Sequence, residues 1–161
     1  MKIYYVFILF LLLYIGCAQE AKEPDPLTTN SIEKFSTPES VELGSDGVYY
    51  VSNIGGFGVD GDGTISVIEN DSVKTIASEF NDPKGLSYKD NVLYVSDNKQ
   101  IWQIDAQGNK SIFVDSMEFP DDGPIFLNDL VFDKDGNLYV TDSGDFETVD
   151  GAIYNLNLLD H

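Results

Sequence analysis

A unit of about 44 residues recurs three times in this chain, and that period restricts the fold more than any other feature. The first copy runs from Pro38-Glu39-Ser40-Val41 to Tyr49-Tyr50-Val51-Ser52-Asn53. The second runs from Pro83-Lys84-Gly85-Leu86 to Leu93-Tyr94-Val95-Ser96-Asp97, and the third from Leu127-Asn128-Asp129-Leu130 to Leu138-Tyr139-Val140-Thr141-Asp142. Val51, Val95 and Val140 are 44 and 45 positions apart (95 − 51 and 140 − 95). A fixed period of this length belongs to stacked supersecondary units, each too small to bury its apolar face alone.

Within a unit, short runs rich in Val, Ile, Tyr and Phe alternate with Gly, Asp and Asn, which is strand composition bounded by turn composition. Asp46-Gly47, Asp90-Asn91 and Asp135-Gly136 sit where hairpins need residues that tolerate positive φ. The second unit predicts strands at Gly85–Tyr88, Val92–Ser96, Gln100–Ile104 and Ser111–Val114, with Ile101 facing inward. The first matches it with Thr64–Glu69 and Val73–Ile76. Four-stranded antiparallel units at this spacing are β-propeller blades. The expected fold is therefore all-β, with about three blades over residues 32–161 (units near 35–77, 80–115 and 125–161). Val41–Leu43, Leu86–Tyr88 and Leu130–Phe132 are the expected inner strands. The third unit has room for Ala152–Leu156 as its third strand and little beyond. Rings have about four to eight blades, so three leave two apolar sheet faces open, a liability unless something covers them. Three readings follow: a piece of a larger protein, a half-ring completed by a second copy or another partner, or a different small all-β fold.

Residues 3–15 are uncharged and apolar after Lys2, too short for a comfortable membrane span. Gly16 and Cys17 close the run. This looks like a bacterial lipoprotein signal, with residues 1–16 as leader and Cys17 as the lipid-attachment site, although Tyr14 stands where a leucine is usual. The alternatives are an ordinary signal peptide or an uncleaved anchor. Residues 17–31, with Pro24 and Pro26, read as a polar tether. The expected location is the bacterial envelope, anchored in the outer membrane or periplasmic. Cys17 is the single cysteine, so no intrachain disulfide forms. With 28 acidic residues against nine basic ones and a net charge of −19, the chain has no basic footprint for nucleic acid. The acidic surface suits solubility, a cation or a cationic partner.

The repeats resemble the SMP-30, gluconolactonase and luciferin-regenerating-enzyme-like superfamily of six-bladed propellers, from Phe35 to Leu156. Phe126-Leu127-Asn128-Asp129-Leu130-Val131-Phe132-Asp133, followed by Gly136-Asn137-Leu138-Tyr139-Val140-Thr141-Asp142, carries most of that resemblance. Pro83-Lys84-Gly85 is also similar to the blade openings of NHL-type propellers. Ser40-Val41 departs from the superfamily, which has Gly-Pro there. The resemblance implies half of a six-bladed ring. It also implies one divalent cation, calcium or zinc, in the channel of a completed ring, with Glu39 as a ligand. Asn128, with Asp129 beside it, would line a substrate pocket. A mid-ring asparagine and a late aspartate acting as general base would correspond to positions beyond His161, so the resemblance implies that this chain alone has no catalytic residue set. In a completed ring the ion would polarise a lactone carbonyl and acidify an attacking water, and a carboxylate would take the proton. The expected activity is that of an incomplete or assembling metal-dependent sugar-lactone or ester hydrolase. The alternative is a non-catalytic module that binds a protein or a glycan, with a small carbohydrate-like ligand.

Read from the residues alone, Glu39 is a turn residue before a strand and Asn128 a backbone cap. Asp60-Gly61-Asp62-Gly63 lacks the later ligands of a calcium loop and reads as an acidic turn. Asp121-Asp122-Gly123-Pro124 reads as ordinary turn chemistry. Asn53, Asp97 and Asp142 share one repeat position and are expected to cap the strand-end turns, with Ser52, Ser96 and Thr141 before them also structural. Tyr49 or Tyr50, Tyr94 and Tyr139 recur as blade packing, which leaves Phe57 as the freer rim aromatic. No serine sits in a nucleophile elbow, and His161 is the sole histidine.

Overall fold

The structure, a computed structural model, describes residues 30–45, 47–119 and 123–157. The leader, Cys17, most of the tether and the Asp121-Asp122 pair lie outside the described residues. Three antiparallel sheets are formed. The first holds β1 (Pro38–Leu43), β2 (Tyr49–Asn53), β3 (Gly63–Glu69) and β4 (Ser72–Phe80) in that order. The second holds β5 (Pro83–Lys89), β6 (Val92–Asp97), β7 (Gln100–Ile104) and β8 (Lys110–Val114). The third holds β9 (Leu127–Phe132), β10 (Leu138–Asp142) and β11 (Ala152–Leu156), with β10 central. A 3₁₀ turn, Ser116–Glu118, lies between the second sheet and the third and is closed by a capping box with Asp115. This is a partial, unclosed propeller, the architecture that the repeat predicts.

The hairpins turn where the sequence places them. Gly47, Asp90, Asn91 and Gly136 have φ of 81°, 51°, 63° and 92°. Asp105 and Asp133 each accept two backbone N–H bonds within the next turn, closing it from its first residue. Strand ends are less legible. β1 begins at Pro38 and β9 at Leu127, so Glu39 lies inside a strand, not in a turn before one. β4 continues to Phe80, four residues past the expected Ile76, across irregular pairing with β3. Glu79 takes a φ of 62° there, and Lys110 Nζ donates to the carbonyls of Ser78 and Glu79 at 2.8 Å. A lysine of the second sheet thus steadies an irregular strand of the first.

The core consists of two seams between sheets. Ile65, Phe80, Leu86, Leu93, Val95 and Ile104 fill the seam between the first and second sheets. Ile101, Val114, Phe119, Leu127, Leu130, Leu138 and Val140 fill the one between the second and third. Strand alternation explains the division, since successive side chains face opposite sheets. Each seam joins a tyrosine of the earlier sheet to an aromatic of the later one. Tyr50 stacks on Tyr88 at 5.3 Å, and Tyr94 meets Phe132 edge-on at 4.8 Å. Tyr50 and Tyr94 are packing residues, as the spacing suggests, whereas Tyr139 joins neither seam.

β1 and β9 both lie against β5. Glu42 Oε1 accepts from the Tyr88 amide at 3.0 Å, and the Ser96 hydroxyl donates to the Asn128 carbonyl. Each of these inner strands carries one extra residue near its start. Pro38 pairs with Asn53 and Val41 with Val51, Pro83 with Asp97 and Leu86 with Val95, Leu127 with Asp142 and Leu130 with Val140. In each case three steps on the inner strand face two on its partner, which is a β-bulge, a device that re-aims side chains.

Candidate functional site

The bulges place Glu39-Ser40, Lys84-Gly85 and Asn128-Asp129 at matched positions on three adjacent strands. They form the mouth of the channel side. Tight contact between strands keeps it narrow: a Cβ on Gly85 would lie 2.6 Å from the Asn128 carbonyl oxygen and 2.6 Å from Asp129 Cα. Only glycine permits that approach between β5 and β9.

Lys84 is at the centre of the mouth and is 2% exposed. Its Nζ donates to the Asp82 carbonyl at 2.8 Å and sits 3.8 Å above the Phe126 ring. Burial lowers its pKa, while the carboxylates of Asp82, Asp97 and Glu39 oppose that shift. Glu39 is pushed the other way. Partial burial raises its pKa, Asp129 across the mouth adds to the rise, and Lys84 counteracts it. Glu39 therefore feels both Asp129 and Lys84 electrostatically. Asn128 Nδ2 donates to Ser143 Oγ at 3.2 Å, and the Asp129 amide donates to Thr141 Oγ1 at 2.9 Å.

The loops before the inner strands are held from the strands behind them. Asp97 accepts from the amides of Asn81 (3.2 and 3.1 Å) and Asp82 (2.7 Å), and from Trp102 Nε1 at 3.2 Å. Burial of this carboxylate raises its pKa against the pull of those donors. Asp142 does the matched task for Ile125 (2.9 Å) and Phe126 (2.8 Å), with Gly144 and the Tyr154 hydroxyl as further donors. Burial pushes the Asp142 pKa up, but the four donors outweigh it and hold the group below the usual carboxylate range. Asn53 departs from the expected capping role. Its Nδ2 donates within its own sheet, to Ser66 Oγ at 3.1 Å, and its buried Oδ1 finds no partner among the described residues.

An aromatic row stands over the mouth. Phe57 and Phe126 stack at 6.1 Å and Phe146 meets Phe126 edge-on at 5.2 Å. Phe57 and Phe146 are 65% and 71% exposed. The Phe57 loop is fixed by Gly58 N donating to Asp82 Oδ1 at 3.0 Å and by Gly56 N donating to Asp62 Oδ2 at 2.8 Å. Asp62 thus serves as a turn acceptor.

The sequence singles out Glu39, Asn128, Asp129 and Phe57, and all four lie around this mouth. It passes over Lys84, Phe126 and Phe146. Lys84 had a signal, the repeat position it shares with Glu39 and Asn128. Phe126 had one as the first residue of the family-like stretch Phe126–Asp133, and Phe146 had none, because it belongs to a loop outside the period. Among the described residues the donors do not by themselves make a divalent-cation site, and the cation expected for a completed ring would find one of its carboxylate ligands here, Glu39. An ammonium already stands beside Glu39, the Asn128 amide is turned to Ser143, and no group of three acidic, histidine or cysteine side chains able to hold a metal exists among the described residues.

No family model and no curated protein sequence matches this chain. Solved structures do. A protein assigned as a gluconolactonase is 16% identical with a TM-score of 0.56, over 78% of this chain and 46% of that one. The calcium-binding protein regucalcin from Agrobacterium tumefaciens is 16% identical with a TM-score of 0.54, and a luciferin-regenerating enzyme 16% identical with 0.55. Each of these two matches covers 65% of this chain and 38% of the other. The chain therefore spans less than half the length of these three structures. At this identity the likeness shows the fold alone, a partial β-propeller.

Proposed function

We propose that this protein is a lipid-anchored envelope module whose channel mouth binds a small, hydroxylated, carbohydrate-like ligand. The observation that carries the reading is the buried ammonium of Lys84, held 3.8 Å from the Phe126 ring, which itself meets the exposed rings of Phe57 and Phe146. The rings of Phe57 and Phe146 offer exposed apolar faces, and Glu39, Asp129 and Asn128 offer acceptors and an amide at their base. A few placed polar groups beside aromatic surface is the usual composition of a small-ligand site. A neutral polyol suits the site better than an anion, because the carboxylates outnumber the ammonium.

A metal-dependent lactone or ester hydrolase is the second reading, and the fold likeness favours it. A fold does not fix an activity. In that reading Glu39 would be one ligand, and the charge of Lys84 opposes a divalent ion beside it. Calorimetric titration of the full chain separates the two. Saturable binding of monosaccharides or disaccharides, weakened at least tenfold in Phe57→Ala or Phe146→Ala and unaffected by calcium chelation, supports the proposal. No sugar binding, with stoichiometric calcium uptake lost in Glu39→Gln, overturns it in favour of the hydrolase. Anchoring through Cys17 rests on the leader pattern. Cys17→Ser is expected to move the chain from the membrane fraction to the soluble one, and retention in the membrane would refute a lipid anchor.

A further inference from the structure

The two seams are built on one plan and filled differently. Ile65 pairs with Ala77 and Ser66 with Thr75, just as Ile101 pairs with Val114 and Trp102 with Ile112. Both outer strands therefore carry an extra residue at the same place, Ile76 in β4 and Phe113 in β8. Each packs against the seam ahead of it. In the second seam Phe113 meets Tyr94 edge-on at 4.7 Å, and Phe132 meets the same tyrosine from the next sheet at 4.8 Å. In the first seam Tyr50 and Tyr88 stand at the places of Tyr94 and Phe132 and stack on each other at 5.3 Å. The branched aliphatic chain of Ile76 brings them no third ring.

A cavity of about 350 Å³ lies there, at the low end of the roughly 300–1,000 Å³ of small-ligand clefts. Tyr50, Tyr88 and Ile76 wall it, and the buried side chains of Leu93 and Ile104 reach it from the core. It lies beside the turns at Asn91 and Asp105–Gly108, at the end of the sheets away from the mouth. The two charges that border it have opposite sign. Lys74 supplies an ammonium. The Asp105 carboxylate is taken up by its own turn, where it accepts from the Gln107 and Asn109 amides and from Asn109 Nδ2. Thr75, Asn91 and Gln107 add neutral hydrogen-bonding groups.

We propose that this cavity is a second binding site, for a small uncharged planar aromatic of the phenol class, whose ring takes the place in the first seam that Phe113 fills in the second. Shape and charge select that class. A flat ring packs well against tyrosines, and a cavity of only about 150 Å³ with apolar walls accepts benzene. An anion would meet Asp105 and a cation Lys74, so neither gains from the pair. A hydroxyl finds donors and acceptors in Thr75, Asn91 and Gln107. The site is separate from the mouth, so this proposal and the carbohydrate reading can fail independently.

Calorimetric titration of the full chain with phenol is the test. One molecule is expected to bind per chain, undisturbed by excess monosaccharide, with benzoate, benzylammonium and cyclohexanol at least tenfold weaker. Ile76→Phe gives the first seam the ring of the second, and is expected to abolish phenol binding and to raise the Tm. Absence of saturable phenol binding overturns the proposal, as does phenol affinity retained in folded Ile76→Phe. Equal affinity for benzoate or cyclohexanol overturns the ligand class. Methyl NMR of the unsubstituted chain decides without any variant. Phenol-induced shifts at Ile76, Leu93 and Ile104 support the site, and shifts confined to the second seam or to the mouth overturn it.

Discussion

Asp97→Ala tests the claim that the channel mouth is held from the strand behind it. The substitution leaves three donors, the amides of Asn81 and Asp82 and the indole N–H of Trp102, without their acceptor. A buried unpaired donor costs about 1–3 kcal/mol. Water entering the vacated space recovers part of this, and removal of a poorly solvated carboxylate offsets more. The expected net loss is about 3 kcal/mol, a large share of the roughly 5–15 kcal/mol that stabilises a typical domain. The matched residue provides the control. Asn53 Oδ1 holds no loop, so Asn53→Ala forfeits chiefly the bond to Ser66 Oγ, about 1 kcal/mol. Urea unfolding of the full chain, followed by circular dichroism and by Trp102 fluorescence, gives both values from midpoint shifts at constant slope. Equal losses in the two variants, or a loss below about 1 kcal/mol for Asp97→Ala, would refute the clamp.

Gly85→Ala sets a new Cβ at 2.6 Å from backbone atoms, against the 3.4 Å at which ordinary contact begins, so β5 and β9 must part by the 0.8 Å difference (3.4 − 2.6). About 1–3 kcal/mol of destabilisation in the same assay is expected, and a neutral or stabilising result would contradict the close approach. Asp142 and Asp97 give opposite pH dependences. Asp142 is held below its ordinary value of 3.8, so its stabilisation is present above that pH and lost as pH falls through its lower folded value. Asp97 is raised above 3.8, so its ionisation costs stability at neutral pH, and the cost is relieved as pH falls through its folded value toward 3.8. Asp142→Asn should flatten the acid limb below pH 3.8 in a stability profile, and Asp97→Asn should remove a gain above it. Identical changes in the two profiles would count against both assignments.

The blades were legible because their signals are local. Asp90-Asn91 marks a hairpin by its tolerance of positive φ, and Gln100–Ile104 and Ala152–Leu156 fall where the repeat puts them. The mouth was legible only in part, because burial and partners there come from distant segments. Lys84 reads as an ordinary charged residue until β1 and β9 are laid on either side of it. The extra residue in each inner strand has no composition of its own, since Glu39-Ser40, Lys84-Gly85 and Asn128-Asp129 share no residue type. Asn53 shows the converse limit: the period predicted a cap, and the amide in place of a carboxylate turned its donor inward. The length of β4 depends on Lys110, a residue of another sheet.

The bulge also separates two kinds of selection. Strand alternation ties the buried strand positions to a seam whose core is apolar. The inserted residue stands outside that alternation, so its chemistry can change while the seams are kept. An acid, a base and an amide occupy it in three successive units, over seams that stay apolar. New specificity in such a ring would be expected to appear first at these three positions, without prior repair of the core.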